Sequence, residues 1–232
     1  MESSLFDKEP KIYISKTDFV NGIVCPYTWY LRKVKRVKGI ISDSMIKGTN
    51  LHSLMKEINS LKEESKIKEC VEQLTKQNSK FKVEIDNILR FLTDRRNKGL
   101  KVLPEYSEFR AEVRLGKFVL QGIIDAVYVD DERIEVFEYK NSFYKPDEDL
   151  FDEVGFYSFL FSRVKGKKVN VMGIFSFTTG EVKYRNFVEN EIYTKITSFL
   201  SVVEEGNFYA IPSEKNCSFC VFRNNCEFSY IK

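Results

Sequence analysis

A mixed α/β domain is what this sequence predicts, and three observations predict it. A long stretch with helical apolar spacing comes first. A block of strand-like segments joined by short turns follows it. A helix, a strand pair and a last helix then complete the pattern.

Ser15, with Asp18 three residues on, reads as a helix start, and Phe19, Val20 and Ile23 supply its apolar face. Cys25-Pro26 interrupts that helix, and a second short one is expected over 27–37. From 44 to 98 the spacing is helical. Met45, Leu51, Leu54, Met55, Ile58 and Leu61 form one apolar series, and Phe81, Ile85, Ile88, Leu89 and Leu92 form another. Asn97-Lys98-Gly99 supplies a stop. Three strands are then expected at 107–115, 117–129 and 133–140, with turns at Gly116-Lys117 and Asp130-Asp131-Glu132. A helix over 147–164, strands at 169–177 and 182–188 joined at Thr179-Gly180, and a helix over 189–205 follow. Residues 206–232 read as irregular.

The 232 residues suit one domain with room for a small appended module, and 43% hydrophobic content gives it a core. Lys+Arg 37 against Asp+Glu 34 leaves a net charge of +3. That excludes a disordered polyelectrolyte, and confines any nucleic-acid binding to a local patch. No run of about 20 apolar residues exists to span a membrane. The first residues, Met1 to Asp7, lack the basic start and apolar run of a signal peptide, so a cytoplasmic setting is expected. In such a setting five Cys point to metal or catalysis rather than disulfides.

Along 134–140, side chains alternate, so Ile134, Val136, Glu138 and Lys140 share one face. Asp125 closes Gly122-Ile123-Ile124-Asp125 on the preceding strand, which brings it across from Glu138 if the hairpin pairs. Two carboxylates converging at a strand end make a hard-oxygen site for Mg²⁺ or Mn²⁺. A lysine beside them can position or deprotonate water, or stabilise charge on a phosphate. The plain reading of Glu138 and Lys140 alone is an ordinary ion pair. The company is what argues against it. Gly48 precedes the only histidine, His52, by four residues, and Glu153-Val154-Gly155-Phe156-Tyr157 opens the helix after the third strand.

Cys217, Cys220 and Cys226 form C-x2-C-x5-C and call for a fourth ligand. Cys70 lies within a helical pattern and has no partner motif. Cys25 sits at a helix break and is the better candidate, which would tie the two ends of the sequence together. Four thiolates suit zinc and an iron–sulfur cluster alike. Between 32 and 38, Arg32, Lys33, Lys35, Arg36 and Lys38 follow the aromatics Tyr27, Trp29 and Tyr30. Basic groups next to stacking rings are what a single-strand track uses. A solvated helix face with its aromatics turned inward reads the same.

Taken in order, Gly-x-x-x-His, Gly-Ile-Ile-Asp, Glu-Tyr-Lys and the Glu153…Tyr157 spacing resemble the RecB-type branch of the PD-(D/E)xK nucleases, over roughly residues 15–226. The resemblance implies a restriction-endonuclease-like α/β core. It implies one domain over 1–232, with a helical part at 15–98, the nuclease core at 105–205 and a cluster-binding module at 206–232 plus Cys25. It makes His52, Asp125 and Glu138 metal ligands, with the Tyr139 carbonyl as a further one. Lys140 becomes the catalytic lysine, and Tyr157 sits by the active site and contacts the DNA strand. One departure stands out: the family usually carries Gln where this chain has Glu153. An added negative charge near phosphates implies either a raised pKa or a place on the metal.

One early Cys followed by C-x2-C-x5-C resembles iron–sulfur-bearing members, notably the CRISPR-associated exonuclease Cas-four family, which favours [4Fe–4S] over zinc. That resemblance implies a metal-dependent exonuclease acting on single-stranded DNA, commonly 5′ to 3′, in CRISPR spacer acquisition with integrase proteins as partners. It leaves the oligomeric state open. The rival classes are a DNA-binding or scaffold subunit that does not cut, and a viral or repair recombination nuclease.

Overall fold

The structure, a computed structural model, describes residues 10–40, 43–130 and 133–231. Residues 1–7, Asp131-Glu132 of the expected turn and the side chain of Met45 lie outside the described residues.

Ile12–Ser15 form a short strand, β1, that runs directly into helix α1 (Lys16–Val24). The expected capping box makes that switch. Ser15 Oγ accepts the Asp18 N–H at 3.2 Å, and Asp18 Oδ2 accepts the Ser15 N–H at 3.0 Å. Cys25 ends α1, and α2 (Tyr27–Trp29) continues as a π-helical turn over Tyr30–Val34. The long helical stretch resolves into α3 (Asp43–Asn59), α4 (Ile67–Gln77) and α5 (Lys82–Asn97), and Gly99 at φ 67° follows the last of them.

Then come β2 (Tyr106–Leu115), β3 (Phe118–Val129) and β4 (Ile134–Lys140), antiparallel as expected. Helix α6 (Asp147–Lys165) carries the chain over so that β5 (Val171–Ser176) lies parallel to β4. Strand β6 (Val182–Asn186) and helix α7 (Glu189–Glu205) follow. The stretch after 206 holds a short helix, α8 (Glu214–Ser218), capped by the Ser213 hydroxyl, and a 3-10 turn over Arg223–Asn225. Among the described residues, the sheet has six strands in the order β1-β3-β4-β5-β6, with β2 paired to β3.

Both faces of the sheet are covered. One core contains Ile134 and Val136 with Val154, Leu160 and Phe199 from α6 and α7. The other contains Phe137 and Tyr139 with Leu54, Leu74 and Ile88 from α3, α4 and α5. The two-residue alternation expected along β4 is therefore the division between two cores. Among the described residues, no helix is long and apolar enough to cross a membrane.

What positions the site is a fork in the sheet. One edge of β3 carries β2. Its other edge is shared: Phe118 to Gln121 pair with β1, and Ala126 to Val129 pair with β4. Between those two ladders, residues 122–125 face the opening where β1 and β4 part.

Candidate active site

Asp125 is the last residue of that opening. One step past the Ala126↔Phe137 pair, the same register brings it opposite Glu138. There its side chain takes over from the backbone ladder, and Asp125 Oδ2 accepts the Tyr139 N–H at 2.7 Å. A strand residue's N–H and C=O point to the same side, so the Tyr139 carbonyl is directed into the fork as well. The Tyr139 hydroxyl anchors this end of β4, accepting from Asn59 Nδ2 at 3.2 Å and lying 3.1 Å from the Tyr128 hydroxyl.

His52 reaches the fork from the other face of the sheet. Helix α3 sets its ring 5.7 Å from that of Phe177, with Nδ1 3.4 Å from Asp125 Oδ1. Burial pushes the imidazole toward its neutral form, but the Asp125 carboxylate outweighs this and raises its pKa.

Glu138 and Lys140 lie on the α6 side, as the alternation predicts, and two residues join them. Lys140 Nζ donates to Glu138 Oε1 at 2.8 Å and also to Glu153 Oε2. Lys16 Nζ, at the first position of α1, donates to Glu138 Oε1 at 2.6 Å and lies 3.1 Å from Glu153 Oε2. Two ammoniums and two carboxylates thus alternate in a closed ring. Lys145 adds a third cation, 3.1 Å from Glu153 Oε1. Burial pushes both carboxyls up, but the lysines outweigh it: Glu138 is lowered, and Glu153 is held well below the usual carboxylate range. Of the two alternatives for Glu153, a raised pKa or a place on the metal, the first is reversed here, and its partners are three lysines. Burial likewise works against the charge on Lys16 and Lys140, and the carboxylates reverse it, so both stay ammonium.

Tyr157 is buried, with the Lys16 ammonium 5.2 Å from its ring centroid. Its ring explains the glycine of Gly-Ile-Ile-Asp, because a Cβ on Gly122 would come within 2.5 Å of Tyr157 Cε1. Tyr157 thus sits beside the fork, with its ring packed between Gly122 and Lys16.

A divalent cation has an acceptor here. Glu138 Oε1 serves two lysines, while Oε2 is buried with no hydrogen-bond partner among the described residues. Together with Asp125, His52 and the Tyr139 carbonyl, that oxygen fits Mg²⁺ or Mn²⁺ by donor chemistry. Among the described residues, no three His, Cys, Asp or Glu side chains stand as a ready metal site, neither at this fork, where lysines contact Glu138, nor at the cysteines.

The cysteines meet elsewhere. Cys25, Cys217, Cys220 and Cys226 line one cavity of about 70 Å³, roofed by Leu31 and Phe222. Each sulfur has a backbone N–H: Ile211 to Cys25 at 3.3 Å, Tyr230 to Cys217 at 3.4 Å, Phe222 to Cys220 and Phe228 to Cys226. Burial outweighs those donors and pushes the Cys220 and Cys226 thiols up, with the neighbouring sulfurs adding to it. Only by donor type, four sulfurs beside backbone N–H groups, does the set fit a thiolate-ligated centre. Cys70 is apart from them, buried on α4 in the core under the other sheet face.

The basic segment is only partly free. Lys33 Nζ lies 2.9 Å and Arg32 Nη1 3.9 Å from the buried Asp18 carboxylate. Lys35 lies over the Tyr30 ring, and Arg36 is exposed at φ 56°. Trp29 and Tyr30 stack on Phe208, so the aromatics turn inward and do not form an open track.

Lys16 and Lys145 escaped the sequence reading. The signal that would have found them was Glu153 itself, since a buried extra carboxylate requires an extra cation.

The profile of the PD-(D/E)XK nuclease superfamily matches residues 14–227. No curated protein matches the chain. Among solved structures, a "Putative exonuclease" from Eubacterium rectale aligns with a TM-score of 0.52 at 12% identity, covering 88% of this chain and 85% of its own. The structure of SSO0001 aligns at 16% identity over 97% of this chain and 90% of its own, with a TM-score of 0.45. At these identities the first likeness speaks to the fold alone, and the second carries no weight. The superfamily match runs from β1 to the last of the four cysteines and takes in the whole fork, and on that ground the chain belongs to the PD-(D/E)XK nuclease superfamily.

Proposed function

We propose that this chain is a metal-dependent DNA exonuclease that hydrolyses phosphodiester bonds in single-stranded DNA, 5′ to 3′. Membership of the superfamily supports a hydrolytic nuclease. The observation that carries the metal is the buried Glu138 carboxylate, with one oxygen shared by two lysines and the other without a hydrogen-bond partner among the described residues. Glu138 Oε2, Asp125, His52 and the Tyr139 carbonyl would hold the ion. A bound Mg²⁺ or Mn²⁺ supplies Lewis-acid neutralisation of charge on the phosphate and lowers the pKa of water. Lys140, kept as an ammonium by Glu138 and Glu153, is suited to donating to the phosphate oxygens rather than to removing a proton from water. Asp125 fixes the Tyr139 backbone while facing His52, so the end of β4 is set before substrate arrives.

The cysteine set is proposed to hold [4Fe–4S], on its four-sulfur donor chemistry and the family resemblance. The same resemblance supports a place in CRISPR spacer acquisition beside integrase proteins. The test is digestion of end-labelled single- and double-stranded DNA by anaerobically purified protein with Mn²⁺, Mg²⁺ or EDTA. Progressive, metal-dependent loss of single strands from the 5′ end is expected. Binding without metal-dependent cutting would put the non-cutting DNA-binding reading in its place.

A further inference from the structure

We infer that Lys16 is a second phosphate-binding lysine of this active site, and that Glu153 is its anchor. The inference rests on the nuclease reading and deepens it.

The geometry makes Lys16 and Lys140 near equivalents. Each ammonium bridges the same two oxygens, Glu138 Oε1 and Glu153 Oε2. The layering is the second observation. Lys16 and Lys140 side chains are 19% and 15% exposed, whereas Glu138 and Glu153 are 5% and 6%. The ammoniums therefore cover the carboxylates and form the layer that an incoming anion meets. An ammonium has three donors, so each lysine that spends two on the ring keeps one for a phosphate oxygen.

Lys16 is also firmly placed. It is the first residue of α1, behind the Ser15–Asp18 capping box, on a strand end locked to Gln121 of β3. Its counterpart Glu153 comes from α6, with Lys145 on its far oxygen. A buried carboxylate at that position without cations would be costly, and so would a second buried lysine without a carboxylate. The two charges are needed together. The pair adds a donor over the fork at no net charge, and Glu153 neither repels phosphate outright nor has to bind metal.

A charge cycle separates a phosphate ligand from a mere counter-ion. Lys16→Met, Glu153→Gln and the charge-balanced double variant are compared with wild type. Binding of a fluorescein-labelled oligothymidylate is measured in EDTA between 50 and 200 mM salt, alongside thermal stability, kcat and KM. Loss of one phosphate contact to a single strand lowers the slope of log K against log salt by about 0.7. Lys16→Met is expected to show that drop and at least a tenfold lower kcat. Glu153→Gln should keep the slope and the affinity but lose kcat, because Lys16 and Lys140 then share the Glu138 carboxylate alone.

The double variant should regain wild-type thermal stability yet keep the reduced slope, and it carries the test if Lys16→Met folds poorly. An unchanged slope in either Lys16 variant, recovery of both slope and kcat in the double variant, or no DNA binding by wild type overturns the assignment. Wild type that binds with these slopes but never cuts leaves Lys16 as a phosphate ligand and removes the nuclease reading instead.

Discussion

Glu135 and Glu138 stand three residues apart on β4, both buried, on opposite faces of the sheet. Glu135 is fully used. Its Oε2 accepts from Arg95 Nη2 at 2.7 Å and its Oε1 from Arg133 Nε at 2.7 Å. Arg95, only 2% exposed, is itself fixed by Nε donating to the Lys101 carbonyl at 2.6 Å and by the Tyr128 ring 3.7 Å from its guanidinium carbon. Glu138 is unevenly used among the described residues, doubly engaged at one oxygen and without a hydrogen bond at the other. Planar guanidinium against carboxylate and ring suits a contact that stays as it is. Lysines on flexible stems suit one that must yield to a ligand. Along one strand, the choice between arginine and lysine separates a structural charge pair from the one proposed to act on substrate.

The largest expected effect falls on the structural side. Glu135→Ala leaves Arg95 buried without its carboxylate and should cost about 3–5 kcal/mol in denaturant unfolding, while the folded fraction keeps its kcat. Glu138→Ala and Asp125→Ala should do the reverse. Cleavage should fall by roughly a hundredfold or more with circular dichroism and metal-free DNA binding retained. If Glu138→Ala unfolds the protein as readily as Glu135→Ala, the distinction between the two carboxylates is lost.

The cysteine chamber offers a third kind of site to set beside them. Anaerobic protein should be brown, with broad absorption near about 400 nm. Replacing Cys25, Cys217, Cys220 or Cys226 with Ala should bleach it and lower the melting temperature, and Cys70→Ala should do neither. Stoichiometric zinc without iron in elemental analysis would reassign the metal.

The smallest effect is in acid. Glu153 is held well below the usual carboxylate range, so its share of stability is complete above the ordinary glutamate pKa of about 4.3 and fades as pH falls below it. The stability gap between wild type and Glu153→Gln should therefore shrink from pH 6 to pH 3. A gap that stays constant would mean that the lysines do not hold this carboxylate.

Much of the arrangement could be read from residue order alone. Strands β2 to β4 announce themselves through alternation and turns, and Asp125, Glu138 and Lys140 converge because the hairpin is local. Strand β1 could not be read, since its four residues pair with β3 about a hundred positions away and carry no turn signal. Lys16 was hidden for the same reason, its carboxylate partner lying 122 residues on. The single long helical stretch hid two breaks, because 60–66 and 78–81 contain neither glycine nor proline to mark them. Arg32 and Lys33 looked free because nothing local shows that Asp18, fourteen or fifteen positions earlier, is buried and able to engage them.

The cysteine chamber also sets an order of events during synthesis. Tyr27 donates to Glu227, 200 residues later, beside sulfurs drawn from both segments. At about 5–20 residues per second, a ribosome releases Cys25 roughly ten to forty seconds before Cys226. Through that interval the early segment has no partner for its thiol, and the sheet can close around β3 first. Closing the chamber is then the last step of folding, so a truncated chain could build the sheet yet never lock its first helices to its final turns.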